Sequence, residues 1–125
     1  MKERNVRNHQ DLDVWKVSME IAIRVYKETV RLPHTERFGL QQQMRRAAVS
    51  VASNIAEGAG RESTRDFLRF VSMAMGSLAE LDTQLQLCDS LGLLSYETAM
   101  RHEIERNRLM LARLRASLRH RAAAK

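Results

Sequence analysis

The sequence predicts an all-α fold, an antiparallel up-down-up-down four-helix bundle in a single domain, and three observations carry that expectation. Apolar residues recur at steps of three and four over four separate segments, the spacing that lines one face of a helix. The links between those segments are short and hold proline, glycine or capping residues, which makes consecutive helices antiparallel neighbours. With one proline and five glycines in 125 residues, a hydrophobic share of 44% and abundant Arg, Leu, Ala, Met and Glu, the composition favours helix and provides one core.

The first segment begins near Asp11 or Asp13, either of which offers a capping carboxylate, and runs to about Arg31, with Pro33 enforcing its end. Leu12, Trp15, Met19, Ala22, Ile23, Tyr26 and Val30 form its stripe. Val14, Val17, Ile21 and Val25 widen the apolar surface, so this helix is expected to touch two neighbours, one of them a candidate second subunit. The second segment runs from Arg37 or Leu40 to Glu57 and points Leu40, Met44, Ala47, Ala48, Val51, Ile55 and Ala56 inward. Its small residues permit close backbone approach, and Gly58 and Gly60 are expected to close it, since glycine tolerates the left-handed backbone of a helix end.

Ser63, with Asp66 three residues later, starts the third segment. Its buried face is Phe67, Phe70, Val71, Ala74, Leu78, Leu81, Leu85 and Cys88, and it runs to Leu91 before Gly92. Ser95 is the expected cap of the fourth, which turns Tyr96, Met100, Ile104, Leu111, Leu114 and Leu118 inward, with Asn107 interrupting the stripe. The chain thus divides into a flexible basic N-terminal arm over residues 1–10, a bundle over 11–121 and a short tail over 122–125.

Charge is uneven along the chain. Residues 1–10 set Lys2, Arg4 and Arg7 against Glu3, a net +2, and residues 106–125 hold six arginines and Lys125 with no acid, a net +7. The whole carries +6, so the middle is −3. Basic ends on a slightly acidic body suit contact with phosphates, whose neutralisation releases counterions. Arginines in a last helical turn also stabilise the negative end of the helix dipole, which is the competing structural explanation. Cys88 is the single cysteine, so neither an internal disulfide nor a cysteine-based zinc site can form. No run of about 18 apolar residues suggests a membrane span, and the N-terminus lacks the apolar core of a signal peptide. A cytoplasmic protein is expected.

The candidate contacts fall in two groups. Arg45 and Arg46 point about 100° apart on a helix, and one is expected to meet an acid, with Glu57, Glu80 and Asp82 as candidates for a structural or subunit ion pair. Asn54 and Glu57 lie three apart near the glycines, placed to satisfy loose backbone amides or reach a neighbouring helix. Gly76, inside the third segment, suggests close approach of another helix. With Gly58, Gly60 and Glu80, these are read as packing or subunit contacts. The second group is basic: Arg61, Arg65 and Arg69 form a ridge at every fourth residue, and Arg106, Arg108, Arg113, Arg115, Arg119 and Arg121 crowd the last helix. They are the candidates for backbone contact with RNA. Aromatic residues are scarce, so no platform for stacking bases is evident. His9, His34, His102 and His120 are dispersed and lack the spacing of metal ligands. No enzyme activity, cofactor, metal or small-molecule substrate is expected.

Several blocks carry a family resemblance over Leu12 to about Leu118: Glu36-Arg37-Phe38-Gly39-Leu40, Gln43-Met44-Arg45-Arg46-Ala47, Ser53-Asn54-Ile55-Ala56-Glu57-Gly58, Gly60-Arg61 and Ala74-Met75-Gly76-Ser77-Leu78-Ala79-Glu80-Leu81. The chain resembles the bacterial four-helix bundle proteins typified by the 23S rRNA intervening-sequence protein. The resemblance implies an antiparallel bundle, assembly into a ring-like homopentamer, no established catalytic activity, and association with ribosomal RNA or a ribonucleoprotein. In some members the gene lies within a transcribed insertion in the rRNA. Related bundles are accessory proteins of the reverse transcriptases of diversity-generating retroelements, so the resemblance also admits a protein-interaction scaffold. The chain departs from the family at Ala59, where members often carry a bulkier residue, and in its Ala-rich end after His120.

Overall fold

The computed structural model describes residues 9–96 and 98–124. They form a 3-10 turn at His9–Asp11, helix α1 at Asp13–Thr29, a 3-10 turn at His34–Glu36, then α2 at Leu40–Ala59, α3 at Thr64–Ser90 and α4 at Thr98–Ala123. Each long helix packs on its two neighbours in chain order, and α4 closes the square against α1. Contacts across the seams run antiparallel throughout. Ser50 of α2 meets Ser77 of α3 at 2.8 Å while Gly58 lies under Phe70, and Ser18 of α1 meets Asn107 of α4. The expected bundle is what the chain forms. The expected arm of residues 1–10 lies, over residues 1–8, outside the described residues. Among the described residues no helix is long and apolar enough to cross a membrane.

The core follows the predicted stripes of α2, α3 and α4. Met44, Val51 and Ile55 of α2, Val71, Leu81 and Leu85 of α3, and Leu111 and Leu118 of α4 are buried. Cys88 is buried against Met44, with its sulfur 3.6 Å from the methionine sulfur, and burial pushes its thiol pKa up, with the charge of Glu36 adding to the shift. A thiol in that setting is a small apolar filler.

Helix α1 is rotated relative to its expected stripe. Val14, Val17, Ile21 and Val25 are buried along with Ala22 of the expected stripe, and Leu12 and Trp15 pack half-buried against the core, while Met19, Ile23, Tyr26 and Val30 face outward at 37, 51, 44 and 69% exposure. The cause is polar. Ser18 and Thr29 lie on the valine face, buried, and donate to the carbonyls of Val14 and Val25 at 2.7 Å each. Their remaining lone pairs accept from Asn107 Nδ2 at 2.9 Å and from Arg45 Nε at 3.0 Å. Turning α1 to bury Met19 and Ile23 would strip those partners, at about 1–3 kcal/mol for each polar group left unsatisfied.

The helix ends correct several expectations. Neither aspartate caps α1: Leu12 occupies that position without a side-chain bond, and the helix stops at Thr29, two residues before Arg31. The entry to α2 is capped from outside it, by Glu36 Oε1 accepting from the Leu40 amide at 3.1 Å. Ser63 caps α3 as expected, accepting from the Asp66 amide at 3.0 Å. Helix α4 begins at Thr98, and Tyr96, expected on its inward stripe, is buried ahead of the helix.

Of the two glycines expected to close α2, only Gly60 does so. Gly58 lies inside α2, and a Cβ there would stand 2.7 Å from Phe70 Cβ and 2.9 Å from Phe67 Cδ1. Its role is space. Gly60 caps α2 with an ordinary right-handed backbone, φ −86°. Among the described residues only Gly92, at φ 73°, takes the left-handed conformation.

Candidate functional site

Antiparallel packing brings the separate basic stretches of the sequence together. The α3–α4 register is set by the hydrogen bond from Tyr96 to Asp82 and by the groove that Met75, Ile104 and Arg108 share. Continued along both helices, it puts residues 65–69 of α3 level with residues 113–117 of α4. The ridge at the start of α3 and the basic end of α4 therefore occupy one end of the bundle, where α2 also finishes.

The nine candidate arginines differ in what they already hold. Arg61 meets Glu57 at 3.3 Å, Arg106 meets Glu103 at 3.5 Å, and Arg108 grips Glu105 through two bonds, one of 2.9 Å. The bonds from Arg108 lower the pKa of the Glu105 carboxyl, and the same pair raises that of the arginine. All three pairs are exposed and contribute little to stability. Arg61 and Arg69 also lie over the ring of buried Phe70, at 4.9 and 4.7 Å from its centroid. Arg65, Arg69, Arg113, Arg115, Arg119 and Arg121 make no ion pair among the described residues; Arg115 is half-buried and the rest are exposed. These six are the cations with charge to offer a phosphate. On α4 they divide by helical spacing: Arg115 and Arg119 continue the side that Arg101 and Arg108 occupy beside α3, and Arg113 lies on the other flank with Arg106.

The packing candidates lie on α2 and its seam with α3. Arg45 finds no acid: it donates to Thr29 Oγ1 and, at 3.1 Å, to the Tyr26 carbonyl, with its guanidinium 4.5 Å from the Tyr26 ring centroid. Gln41 donates to the Thr29 carbonyl at 2.9 Å. Together they satisfy carbonyls at the C-terminal end of α1, where a cation also complements the dipole. The expected ion pair is thus replaced by a helix-end clamp, because the loop at Pro33 folds α2 back beside the end of α1. Arg46 borders a surface groove with Ser50 and Glu80 and makes no ion pair among the described residues. Asn54 donates to the Ser50 carbonyl and hydroxyl, at 2.9 and 3.0 Å, rather than accepting from loose amides, and Ser50 carries the contact on to Ser77. A Cβ at Gly76 would have nothing within 4 Å, so no helix of the same chain approaches there; the tight approach in this seam is at Gly58.

A second apolar face on α1 was expected, but not that Met19, Ile23, Tyr26 and Val30 would form the outward one. A groove of about 550 Å3 between α3 and α4, floored by Met75, Leu78, Ala79 and Ile104, has no counterpart among the expectations. At one end Tyr96 donates to Asp82 Oδ1 at 2.8 Å, and burial together with the Asp82 carboxylate drives the phenol pKa upward. Arg101 lies over the Tyr96 ring, 4.0 Å from its centroid. The seven-residue repeat of Arg101, Arg108 and Arg115 was visible in the sequence, but nothing there indicated that the repeat borders a groove. Among the described residues no cluster of three or more histidine, cysteine or acidic side chains is placed to hold a metal.

The four-helix bundle agrees with what the chain matches. The sequence model of the 23S rRNA-intervening sequence protein family matches residues 10–113. The chain belongs to that family. A crystal structure of a protein with unknown function from the S23 ribosomal protein family of Bacteroides thetaiotaomicron VPI-5482 is similar to it, with a TM-score of 0.58 at 25% identity, covering 84% of this chain and 94% of that one. No curated protein matches. The match spans all four helices and stops at Arg113, so most of the free cations of α4 lie past its end while Arg45, Asn54, Gly58 and Gly76 lie within it.

Proposed function

We propose that this member of the 23S rRNA-intervening sequence protein family is a non-catalytic, cytoplasmic, oligomeric bundle that associates with ribosomal RNA or a ribonucleoprotein through basic surfaces. The observation that carries the reading is the meeting at one end of the bundle of six arginines, from α3 and from α4, that no acid neutralises among the described residues. Such cations gain most from phosphate, since no ion pair must be broken before they bind. Oligomerisation, as a homopentamer, is supported by the resemblance and by the outward stripe of Met19, Ile23, Tyr26 and Val30, an apolar surface of the kind that subunit contacts cover. A ring repeats the basic end once per subunit and raises avidity without new contacts.

The test is binding of an rRNA fragment over a range of salt. Replacing Arg113, Arg115, Arg119 and Arg121 together by glutamine should weaken binding and lower the slope of log K against log salt by about 3, at roughly 0.7–0.9 per phosphate contact. Unchanged affinity refutes the reading. A second reading, a scaffold for a protein such as a reverse transcriptase, also draws on the apolar stripe of α1. It predicts capture of the protein partner that is insensitive to salt and abolished by Ile23→Ser.

A further inference from the structure

The groove between α3 and α4 has the chemistry of a site for a single flat, polar ring. Its floor of Met75, Leu78, Ala79 and Ile104 is apolar, and its volume of about 550 Å3 lies in the range of small-ligand sites. Its acids are already engaged. Asp82 accepts from Tyr96 through one oxygen and from Gln86, at 3.0 Å, through the other, and Glu105 is gripped by Arg108. Arg101 is the opposite case: its guanidinium sits over the Tyr96 ring and makes no ion pair among the described residues, so its outer face and its N–H edge are both available. Beyond it Arg108, Arg115 and Arg119 follow on the same side of α4.

We propose that this groove holds one nucleotide of a single-stranded RNA, its base on the apolar floor against Arg101, with the phosphates of the nucleotides that follow it running along Arg115 and Arg119. The inference rests on the RNA-associated reading and adds to it where a base enters and which strand state is bound. An arginine plane serves as a stacking surface in RNA recognition as an aromatic ring does, so the scarcity of exposed aromatics does not deprive this chain of a platform. Tyr96, 5% exposed, is the support that fixes the plate. A base in a duplex is already stacked between its neighbours, so the groove selects unpaired strands.

A second copy of the chain fits the groove less well. Its exposed rings bring cations with them, Arg37 over Phe38 at 5.4 Å and Arg45 over Tyr26, and these would meet Arg101 and Arg108 at the rim. Like charges so placed oppose docking.

The test uses the full chain and a labelled single-stranded RNA of about 12 nucleotides, with the same strand annealed to its complement as the second probe. Arg101→Lys keeps the charge and removes the plate; Ala79→Phe keeps the charge and fills the groove. Both positions are exposed, and a far-UV spectrum and melt like those of the unaltered protein confirm folding. Each variant should bind the single strand about tenfold more weakly, the loss of one base stack, with an unchanged salt slope and unchanged duplex binding. Wild-type affinity for the single strand in both variants overturns the site; if the quadruple α4 variant still loses RNA, the broader reading survives that failure. Absence of RNA binding by the unaltered protein refutes the broader reading and this site with it. A fall in particle mass on Ala79→Phe means that the groove seats a second copy, and overturns the proposal.

Discussion

Helices α1 and α2 are both about half apolar and lie side by side, yet they divide those residues between core and surface in different ways. Helix α2 buries its single stripe of Met44, Ala47, Ala48, Val51 and Ile55 and leaves Val49 as its large exposed apolar residue. Helix α1 has two usable stripes and exposes the one with the larger side chains. The difference teaches that apolar periodicity selects a rotation only when one face is apolar. Where two faces compete, buried polar residues decide, and in α1 these are Ser18 and Thr29, each filled from both sides by hydrogen bonds.

The largest expected effect separates the two helices directly. Ile55→Ala should cost about 2–5 kcal/mol in urea unfolding, as fully buried isoleucines do, while Ile23→Ala should cost less than about 0.5 kcal/mol at low protein concentration. Size-exclusion mass should nevertheless fall for Ile23→Ala if α1 carries the subunit contact. An equal cost for the two would break the comparison. Next in size is a pair of glycines. Gly58→Ala should destabilise by about 1–3 kcal/mol through overpacking against Phe70, whereas Gly76→Ala, with open space around it, should stabilise the protomer by up to about 1 kcal/mol. A destabilising Gly76→Ala that also lowers the particle mass would place that residue in a subunit contact.

Arg45→Lys should cost about 1–3 kcal/mol, since a lysine cannot hold Thr29, the Tyr26 carbonyl and the Tyr26 ring at once. Arg46→Lys, next to it and without an ion pair among the described residues, should move thermal stability by less than about 0.5 kcal/mol. The smallest effect is a pH dependence at the α3–α4 seam, well away from α1 and α2. The phenol of Tyr96 has its pKa raised in the folded state, so the stability it contributes is present below the unfolded value of about 10 and declines as pH rises past that point. Tyr96→Phe should flatten this alkaline decline in melting temperature measured between neutral and strongly alkaline pH. An alkaline decline as steep as that of the unaltered protein would assign it to other groups.

Much of the fold was legible because α2, α3 and α4 each carry a single stripe, interrupted in α4 by Asn107, and because Ser63, Asp66 and Gly92 are local signals with local effects. The cap of α2 was missed because Glu36 reaches the Leu40 amide from a separate 3-10 turn, so that helix entry does not announce itself through a nearby Ser, Asp or Asn. The candidate site was legible as a list of arginines but not as a surface. Arg61 is indistinguishable by sequence from Arg65 until their neighbours are placed, since Glu57 lies four residues from the one and Glu62 three from the other, and such an acid makes a pair only when both side chains turn toward each other; Arg113 and Arg119, with no acid within four residues, already differ in sequence from Arg106 and Arg108. Arg45 was expected to meet a carboxylate and met helix-end carbonyls, which a sequence pattern does not display.

The sequence by itself determined that there are four helices, in one chain order, with a core of small and branched residues and cations concentrated toward the end of the last helix. Those properties depend on residues close in sequence and on the 3.6-residue period, so they survive without knowledge of the packing. Tertiary structure alone decided which face of α1 is buried, why Gly58 is a glycine, and that the basic start of α3 stands beside the basic end of α4. Each of these is set by partners 9 to 93 residues away along the chain, from the Phe67 contact with Gly58 to the Asn107 contact with Val14, and only the antiparallel fold brings such partners within hydrogen-bonding or van der Waals reach.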